Sequence, residues 1–276
     1  MRFDAYAATI QEHPIELVQY LAHGLHGQPR STRGMHGYTQ GWEIASTGSG
    51  DVLARVLAGG RNPHPHAWAQ GDATEQFVQL VRDGYQGRHH VTRMDACEDF
   101  DAPGAYEILR TTVRDIITPR GIKGREIVPE DNEEGRTFYA GSPKSDVRLR
   151  LYEKGKQLRA QAPAEALEEI SPNLVRLEPQ VRPQKESRKA AAYCTPAQVF
   201  GFSAWTHDLA LKALELDVQR VQTKPWREPD DERAFRHMLR MYGPLLERLQ
   251  ADLGSWCVVG KTIGEAIERR KATPTR

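Results

Sequence analysis

One short segment of this 276-residue sequence combines a tyrosine with several cations. From Val147 to Lys154 apolar and polar residues alternate, which is typical of a β-strand whose side chains point to opposite faces. The polar face carries Arg148, Arg150, Tyr152 and Lys154. A free tyrosine has a pKa of about 10, so cations or a metal ion must stabilise its phenolate before it acts as a nucleophile. Because these cations would also neutralise charge on a phosphate, the segment predicts transesterification of a phosphodiester by tyrosine.

Carboxylates occupy the polar faces of two further predicted strands. Asp95 and Asp99 share a face of one strand, and Glu178 lies on the other strand. Carboxylate oxygens are hard ligands that suit Mg²⁺ or Mn²⁺, and such an ion polarises a phosphate oxygen. The three residues are therefore candidate metal ligands. The alternative is that they form salt bridges with Arg93 and Arg176 on the same faces, which contribute little at a surface.

These residues need a sheet that aligns their strands. Each half of the first 190 residues ends in the order strand, helix, strand, and the last strand of each half contains an Arg-x-acid motif, at 93–95 and at 176–178. Apolar strand faces would pack on helices and leave the other face of an antiparallel sheet polar. We expect an α+β fold whose mainly antiparallel sheet is built from two ββαβ-like halves, with helices on one face. Pro179 removes a backbone donor, which predicts that its strand lies at an edge or ends early.

The segments around these motifs give weaker signals. Apolar residues from Pro14 to Leu25 are spaced like one face of a helix, and the sequence is then rich in His, Gly and Pro up to Gly37. We expect a short helix followed by a loop. The acidic, Gly-containing stretch from Thr118 to Gly135 is predicted to be a loop or a frayed hairpin.

The sequence changes character near Ala190 to Thr195, where long helical patterns begin. We therefore predict an α+β catalytic domain at residues 1–190 and a helical C-terminal region at 191–276 that recognises DNA, dimerises or caps the sheet. The segment GSWCVVGKTIGEAIERR is interrupted by glycine and ends in a basic cluster, loosely like a helix-turn-helix. Because such patterns match by chance, structural helices are the default interpretation.

Composition excludes several classes of protein. Hydrophobic residues make up 39% of the chain, which is enough for a buried core and argues against a disordered tail. No apolar run is long enough to cross a membrane, and no secretory signal is visible, so we expect a cytoplasmic protein without a membrane partner. Three widely spaced cysteines without CxxC spacing argue against a disulfide framework or a zinc ribbon.

Three motif segments occur in a characteristic order. They are TRMDACEDF, GRTFYAGSPKSDVRLRLYEKGKQ and VRLEPQVRP. Taken together, they resemble the trans-acting replication initiation factors of rolling-circle plasmids and filamentous phages. The matching positions are Arg93, Asp95, Thr137, Tyr139, Gly141, Ser142, Ser145, Arg150, Tyr152, Lys154, Arg176 and Glu178. The resemblance covers about residues 37–188.

This resemblance implies an origin-specific nicking and closing enzyme that initiates rolling-circle DNA replication. Tyr152 would attack one strand, become joined to the 5′ phosphate and free a 3′ hydroxyl that primes synthesis, with Arg150 and Lys154 as catalytic neighbours. Asp95 and Glu178 would hold the divalent ion, Mg²⁺ or Mn²⁺, with Asp99 assisting. The implied partners are origin DNA, supercoiled or single-stranded, host helicase and polymerase, and a second copy in a homodimer.

The distribution of charge predicts where DNA binds. The whole chain has a formal net charge of only +1, but residues 144–159 hold six basic and two acidic residues, and residues 93–134 hold six basic and eleven acidic ones. Charge is therefore sorted into basic strands and a carboxylate-rich segment. We predict phosphate contacts by Lys144, Arg148, Lys156, Arg176 and Arg182, with an affinity that falls as salt rises.

Several alternatives stay open. A non-catalytic, sequence-specific DNA-binding regulator would keep the same sheet without needing the hydroxyl of Tyr152. A metal-dependent phosphodiesterase would use water in place of tyrosine. Tyr139 lies close in sequence to Tyr152 and competes for the role of nucleophile. His64 and His66 flank a proline, which suits the start of a strand better than a metal site.

Overall fold

The computed structural model describes residues 1–130, 134–184, 187–218, 221 and 230–272. The chain divides into two compact units, Met1–Thr223 and Lys224–Arg276. The first unit contains one mixed arrangement of strands and helices, and the second contains two helices. The predicted α+β class with a helical C-terminal region is therefore confirmed.

Ten strands of the described chain form a single antiparallel sheet. They are β1 (Arg2–Ile10), β2 (Gly27–Arg33), β3 (Gln40–Ser46), β4 (Val52–Ala58), β5 (His66–Gln70), β6 (His89–Asp101), β7 (Gly124–Ile127), β8 (Thr137–Ala140), β9 (Val147–Tyr152) and β10 (Leu174–Val181). Their order across the sheet is β2-β3-β4-β5-β1-β6-β10-β9-β8-β7. The two strands with Arg-x-acid motifs, β6 and β10, are therefore neighbours in the middle of the sheet.

Within the residues that the structure describes, eight α-helices connect or follow these strands. They are α1 (Pro14–Gly24), α2 (Thr74–Gly84), α3 (Ala105–Ile117), α4 (Lys154–Gln161), α5 (Ser187–Ala191), α6 (Ala204–Leu214), α7 (Asp230–Leu253) and α8 (Trp256–Ala272). Short 3-10 turns lie at 71–73, 118–120, 164–169 and 197–202. The chain order β4-β5-α2-β6 is repeated as β8-β9-α4-β10, in agreement with two ββαβ-like halves.

One face of the sheet is apolar and is covered by helices. Alternate residues of β1 and β6, such as Tyr6 and Met94, pack with apolar residues of α1 and α2 in one core. Alternate residues of β9 and β10, such as Leu149 and Leu177, pack with apolar residues of α3 and α6 in a second core. Since side chains alternate along a strand, residues between these positions lie on the opposite face. That polar face carries the predicted functional residues.

Two strands of the sheet were not predicted from the sequence, and a third lies elsewhere in the sheet than predicted. β1 is rich in alanine, which is a poor strand former, yet it lies between β5 and β6 inside the sheet. β2 falls in the segment predicted to be a loop. The prediction that the strand of Pro179 lies at an edge is wrong, because β10 pairs with β6 and β9. The missing donor is accommodated by a gap in the β10–β6 ladder between Leu177 and Gln180.

The helical segment after residue 190 contributes to the cores of the first unit. Ala191 and Val199 are buried in the core beneath β1 and β6, and Trp205 and Leu209 are buried beneath β9 and β10. The boundary between compact units therefore lies later in the chain than the predicted boundary near Ala190.

The second unit consists of α7 and α8. Pro244 lies inside α7, and α8 continues through Gly260 and Gly264 without a break. The default interpretation of this segment as structural helix agrees with the structure, in which Trp256–Ala272 is one continuous helix. Among the described helices, none combines the length and apolar character that crossing a bilayer requires.

Candidate active site

The polar residues of four adjacent strands, β6, β10, β9 and β8, lie side by side. Across the β10–β9 ladder, Arg176 is opposite Tyr152, and Glu178 is opposite Arg150. Across the β10–β6 ladder, Gln180 is opposite Asp95. Opposite side chains on one face of an antiparallel pair lie about 5 Å apart at Cβ. We define the charged cluster as Asp95, Arg148, Arg150, Tyr152 and Glu178.

Asp95 is buried and is held by a guanidinium group. Its side chain is 1% exposed, and Arg93 Nε donates to both carboxylate oxygens at 3.0 Å while Nη2 makes a further contact. Burial raises the pKa of Asp95, and the hydrogen bond and charge of Arg93 oppose this shift. The salt bridge with Arg93, which was the alternative to metal binding, is therefore present, and it holds the carboxylate in a buried site.

Glu178 contains the least satisfied carboxylate oxygen of the site. Gln180 Nε2 donates to its Oε1 at 2.7 Å, whereas the buried Oε2 has no hydrogen-bond partner among the described residues. Arg150 Nη1 lies 3.9 Å from Oε2. Burial, followed by the charge of Asp95, raises the pKa of Glu178 to about 7. The charge on this side chain lacks full compensation, which is unusual for a buried group.

The two buried carboxylates fit a hard divalent ion. They are close enough for the charge of Asp95 to raise the pKa of Glu178, and an ion between them would offset that repulsion. The described residues contain no group of three or more His, Cys, Asp or Glu side chains arranged to hold a metal. Asp95 and Glu178 would therefore supply two ligands at most, and waters and substrate phosphates would have to complete the shell of a Mg²⁺ ion.

Asp99 belongs to a separate ion-pair network. Arg176 Nε donates to its Oδ1 at 2.6 Å, and Nη2 donates to its Oδ2 at 2.8 Å. Arg176 Nη1 also donates to Asp4 Oδ1 at 2.6 Å. Arg176 is 6% exposed, so its charge is neutralised inside the protein. Asp99 and Arg176 therefore form structural ion pairs. Unlike Glu178, neither has a buried side-chain atom without a hydrogen-bond partner among the described residues.

Asp4 is a member of the site that sequence reasoning missed. It is skipped in the β1–β6 register, where Phe3 pairs with Ala96 and Ala5 with Asp95, so it occupies a β-bulge. A bulge re-aims a side chain locally, which allows Asp4 to reach Arg176. Its charge also raises the pKa of Asp95 and of Glu178. The available signal was a single carboxylate in the otherwise apolar segment FDAYAATI.

Tyr152 is the last residue of β9, and the carboxylates whose charge affects it are Glu178 and Asp4. The guanidinium carbon of Arg150 lies 3.8 Å from the centre of its ring, and Lys154 Nζ lies 5.8 Å from it. The residue is 3% exposed, and burial, followed by the charge of Glu178, raises its pKa despite opposing charges from Arg176 and Arg150. The expected cations are present, but the phenol remains protonated at neutral pH in the protein alone.

The prediction that Lys154 continues the strand of Tyr152 is wrong, because β9 ends at Tyr152 and Lys154 is the first residue of α4. Its Nζ donates to Gln157 Oε1 at 3.3 Å, and burial, followed by the charge of Arg176, lowers its pKa. The next residue, Gly155, is required by close packing, because a Cβ there would lie 1.9 Å from the carbonyl oxygen of Ser171. The helix therefore starts close to the chain that enters β10, and this contact fixes the position of Lys154.

Arg148 of the charged cluster forms no salt bridge within the described residues, whereas Arg150 faces Glu178. The guanidinium carbon of Arg148 lies 3.8 Å from the ring centre of Tyr139, and burial and the charges of Arg182, Arg150 and Arg125 lower its pKa. The Nε atoms of Arg148 and Arg150 are buried without hydrogen-bond partners in the described chain. Mutually repelling guanidinium groups with unused donors are suited to phosphate. Arg125, on β7 opposite Tyr139, was missed because its segment was predicted to be a loop or a frayed hairpin.

The remaining predicted phosphate contacts differ in their surroundings. Lys144 is exposed in the β8–β9 turn, where Ser145 Oγ donates to the carbonyl oxygen of Ser142 at 2.6 Å. Arg182 Nη1 donates to the carbonyl oxygen of Pro143 at 3.2 Å beside the same turn. Lys156 instead lies on α4, and its Nζ is 3.1 Å from the carboxylate of Glu153. Arg148, Lys144 and Arg182 are therefore near one another, whereas Lys156 is already paired.

The chain resembles known proteins in structure but matches none of the sequence families or curated proteins. No protein-family model matches the chain, and no curated protein matches it. Among solved structures, it is similar to a rolling circle replication initiator protein from Geobacillus stearothermophilus, with 20% sequence identity and a TM-score of 0.48. The match covers 83% of this chain and 89% of that one. A likeness at this level assigns neither a family nor an activity to the chain.

Proposed function

We propose that the protein initiates rolling-circle replication by nicking one strand of an origin through tyrosine transesterification. The Oη of Tyr152 forms a bond to phosphorus, and the bond from phosphorus to the 3′ oxygen breaks. The phenol loses a proton and the 3′ oxygen gains one, so the products are a 5′ phosphotyrosine and a free 3′ hydroxyl. That hydroxyl would prime synthesis by a host polymerase behind a host helicase.

One observation carries this proposal. The charged cluster brings a tyrosine, two buried carboxylates and two arginines with unused Nε donors onto adjacent strands. A surface that only binds DNA needs cations, but it has no need for buried carboxylates beside them. Burying Asp95 and Glu178 costs free energy, so their placement on the same polar face as Tyr152, with Glu178 on the neighbouring strand, is better explained by chemistry at a phosphate than by folding.

Asp95 and Glu178 would hold the divalent ion, and Asp99 would support them through the ion pair with Arg176. When bound, such an ion polarises a phosphate oxygen and offsets negative charge at the scissile group. The buried Oε2 of Glu178 is the carboxylate oxygen most available for this role, since Gln180 occupies only Oε1.

The side chains around Tyr152 would favour attack of its phenolate on the phosphate. Arg150 lies over the ring and Lys154 lies beyond it, so both cations stabilise the phenolate as the proton leaves. Arg148 and Arg150 would donate to the non-bridging phosphate oxygens through their free Nε groups. Lys144 and Arg182, beside the β8–β9 turn, would contact the adjoining backbone, as would Lys156 and Arg176 if DNA displaced their present partners.

A covalent adduct tests the proposal. The full chain is incubated with Mg²⁺ or Mn²⁺ and with supercoiled plasmids that carry fragments of its own replicon. Nicked circles that retain protein in SDS are then identified. We expect the wild type to form this adduct and Tyr152→Phe to lose it by at least about 10³-fold, because the nucleophile is absent.

Tyr139→Phe is the matched control, since Tyr139 lies on the neighbouring strand and also stacks under an arginine. It should keep the adduct. An adduct formed by Tyr152→Phe but lost in Tyr139→Phe would move the nucleophile to Tyr139. Nicking without any attached protein would favour a hydrolase, and specific binding without nicking would favour the regulator.

A further inference from the structure

The polar face continues beyond the charged cluster into a cleft of about 250 Å³. Its floor is formed by Ala5 and Ala7 of β1, and its sides are formed by His66 and Trp68 of β5 and by Arg93 of β6. We define these five residues as the aromatic cleft. Neither the proposed attack by Tyr152 nor the carboxylate pair uses its histidine and tryptophan.

The cleft exists because small residues lie between large ones. Ala7 pairs with Trp68 on one side and with Arg93 on the other, so all three side chains lie in one row. Ala5 pairs with Asp95 in the next row. Since neighbouring strands are about 4.8 Å apart, the two walls are separated by roughly 10 Å, with only methyl groups between them. A planar group can therefore enter between the walls.

The β5 wall is a series of planar side chains. The rings of Tyr38 and His66 are stacked, with centroids 6.2 Å apart and planes 15° apart. The rings of His66 and Trp68 follow at 5.8 Å and 31°, and the guanidinium carbon of Arg55 lies 6.0 Å from the Trp68 ring centre. All four side chains are partly exposed. Burial, followed by the charge of His36, lowers the pKa of His66, so its ring is neutral at neutral pH.

The cleft is continuous with the proposed nicking site. Asp95 is opposite Ala5 on β1 and Gln180 on β10, and Gln180 is opposite Arg148 on β9. One row of the polar face thus connects the cleft floor to Arg148, a proposed phosphate contact. The strand spacing gives roughly 19 Å between β9 and β5. A single strand whose phosphate lies at the charged cluster would therefore cross the cleft within a few nucleotides.

We propose that the aromatic cleft binds an unpaired nucleobase of the DNA strand next to the scissile phosphate, by stacking on Trp68 and His66. Every base has a π-face, so stacking on aromatic rings recognises single strands with little dependence on sequence. The cleft would thereby hold the strand in a melted form at the nicking site. This inference rests on the proposed function for its substrate, but its test is a binding measurement that requires no chemistry.

The test measures binding of a short fluorescent oligothymidylate to the full chain by anisotropy, without divalent ions so that no strand is cut. Trp68→Ala should weaken binding about 10-fold, because stacking on an aromatic ring is lost. Trp68→Phe should restore binding to within about 3-fold of wild type, since it keeps a π-face. Ala7→Leu should weaken binding about as much as Trp68→Ala, because its side chain fills the cleft floor while both walls remain.

Trp42→Phe is the control, because Trp42 packs against the core on the other face of the sheet. It should leave binding unchanged. The proposal is wrong if Trp68→Ala and Ala7→Leu, each shown to be folded by circular dichroism, bind the oligonucleotide like the wild type. It is also wrong if both lose duplex binding equally, or if thymidine monophosphate binds as tightly as the oligonucleotide.

The two proposals can fail separately. An adduct that persists in Tyr152→Phe removes the nucleophile assignment and leaves the oligothymidylate affinities unaffected. Unchanged affinity of the cleft variants for oligothymidylate would contradict base stacking in the cleft and would not bear on the adduct assay.

Discussion

The charged cluster and the aromatic cleft share one face of one sheet, yet they differ in how their side chains are balanced. In the cluster, Glu178 has a buried oxygen without a hydrogen bond and Arg148 has a buried Nε without one. Beside the cleft, Arg55 donates from Nε to Glu43 at 2.8 Å, and the cleft floor is alanine. Charged groups without full hydrogen bonding, such as Glu178 and Arg148, therefore lie on one side of β6. The planar rings of His66 and Trp68 lie on the other side.

This difference teaches how one polar face can divide the recognition of DNA. Uncompensated guanidinium and carboxylate groups are suited to a phosphate and to a divalent ion. Aromatic rings above small residues are suited to a base. The ion pairs of Arg176 with Asp4 and Asp99 support the charged cluster from one end. Variants of the charged groups, of the cleft and of the supporting ion pairs should therefore differ in their effects on stability and on DNA binding.

The largest expected effect concerns the supporting ion pairs. Arg176→Met should lower the free energy of unfolding by about 4 kcal/mol, because it leaves Asp4 and Asp99 without their buried partner. Urea unfolding measures this change. Arg30→Met on the exposed strand β2 is the control and should change stability by less than about 0.5 kcal/mol. Normal stability combined with weaker DNA binding would instead make Arg176 a phosphate contact.

The next largest effect concerns the free energy of unfolding that is lost when buried Glu178 ionises without a metal ion. Its folded pKa of about 7 lies above the usual value of 4.5, so the folded protein holds a proton that the unfolded chain releases. Stability contributed by this proton is present at pH 4 and is lost as pH rises to about 7. Glu178→Gln lacks the titrating group and should gain stability relative to wild type over this range, by about 3 kcal/mol at most.

Urea unfolding of both proteins in EDTA, at acidic and at mildly alkaline pH, measures that gain. Exposed Glu165→Gln is the control and should follow the wild-type pH profile. Added Mg²⁺ should raise the stability of wild type above pH 7 and not that of Glu178→Gln, because a metal binds the deprotonated carboxylate. If the difference in unfolding free energy between the two proteins does not vary with pH, Glu178 does not have the raised pKa that the prediction requires.

The smallest expected effect separates paired from unpaired arginines. Arg148→Gln should reduce the slope of log affinity against log salt concentration by about 1, because one phosphate contact is lost. Arg55→Gln should leave the slope unchanged, since Glu43 already neutralises Arg55. Titrations of single-stranded DNA at several salt concentrations provide the slopes. Equal slopes for all three proteins would contradict the contrast between cluster and cleft.

The residues of the charged cluster were largely predictable from the sequence. The period of two along residues 147–154 places Arg148, Arg150 and Tyr152 on one face, and the structure has them there. The Arg-x-acid motifs placed Asp95 and Glu178 on polar faces in the same way. Alternation is a local property of an extended chain, so it survives folding wherever the strand itself forms.

Other parts of the site depend on contacts between distant segments. Asp4 reaches Arg176 across 172 positions of sequence, through a bulge that no local pattern marks. β1 is a strand because β5 and β6 flank it, although alanine disfavours strands. Pro179 lies in the middle of the sheet because only one ladder is interrupted there. In each case tertiary pairing overrides the local preference.

The sequence by itself therefore determined the chemistry that is available: a tyrosine among cations, carboxylates on neighbouring predicted strands, and an α+β chain with a helical end. Only the tertiary structure decided which groups are compensated. Arg176 is neutralised by two acids, whereas Glu178 keeps an unpaired oxygen and two alanines open a cleft beside Trp68. Compensation depends on distances and burial across strand pairings, and these are fixed only when the sheet assembles.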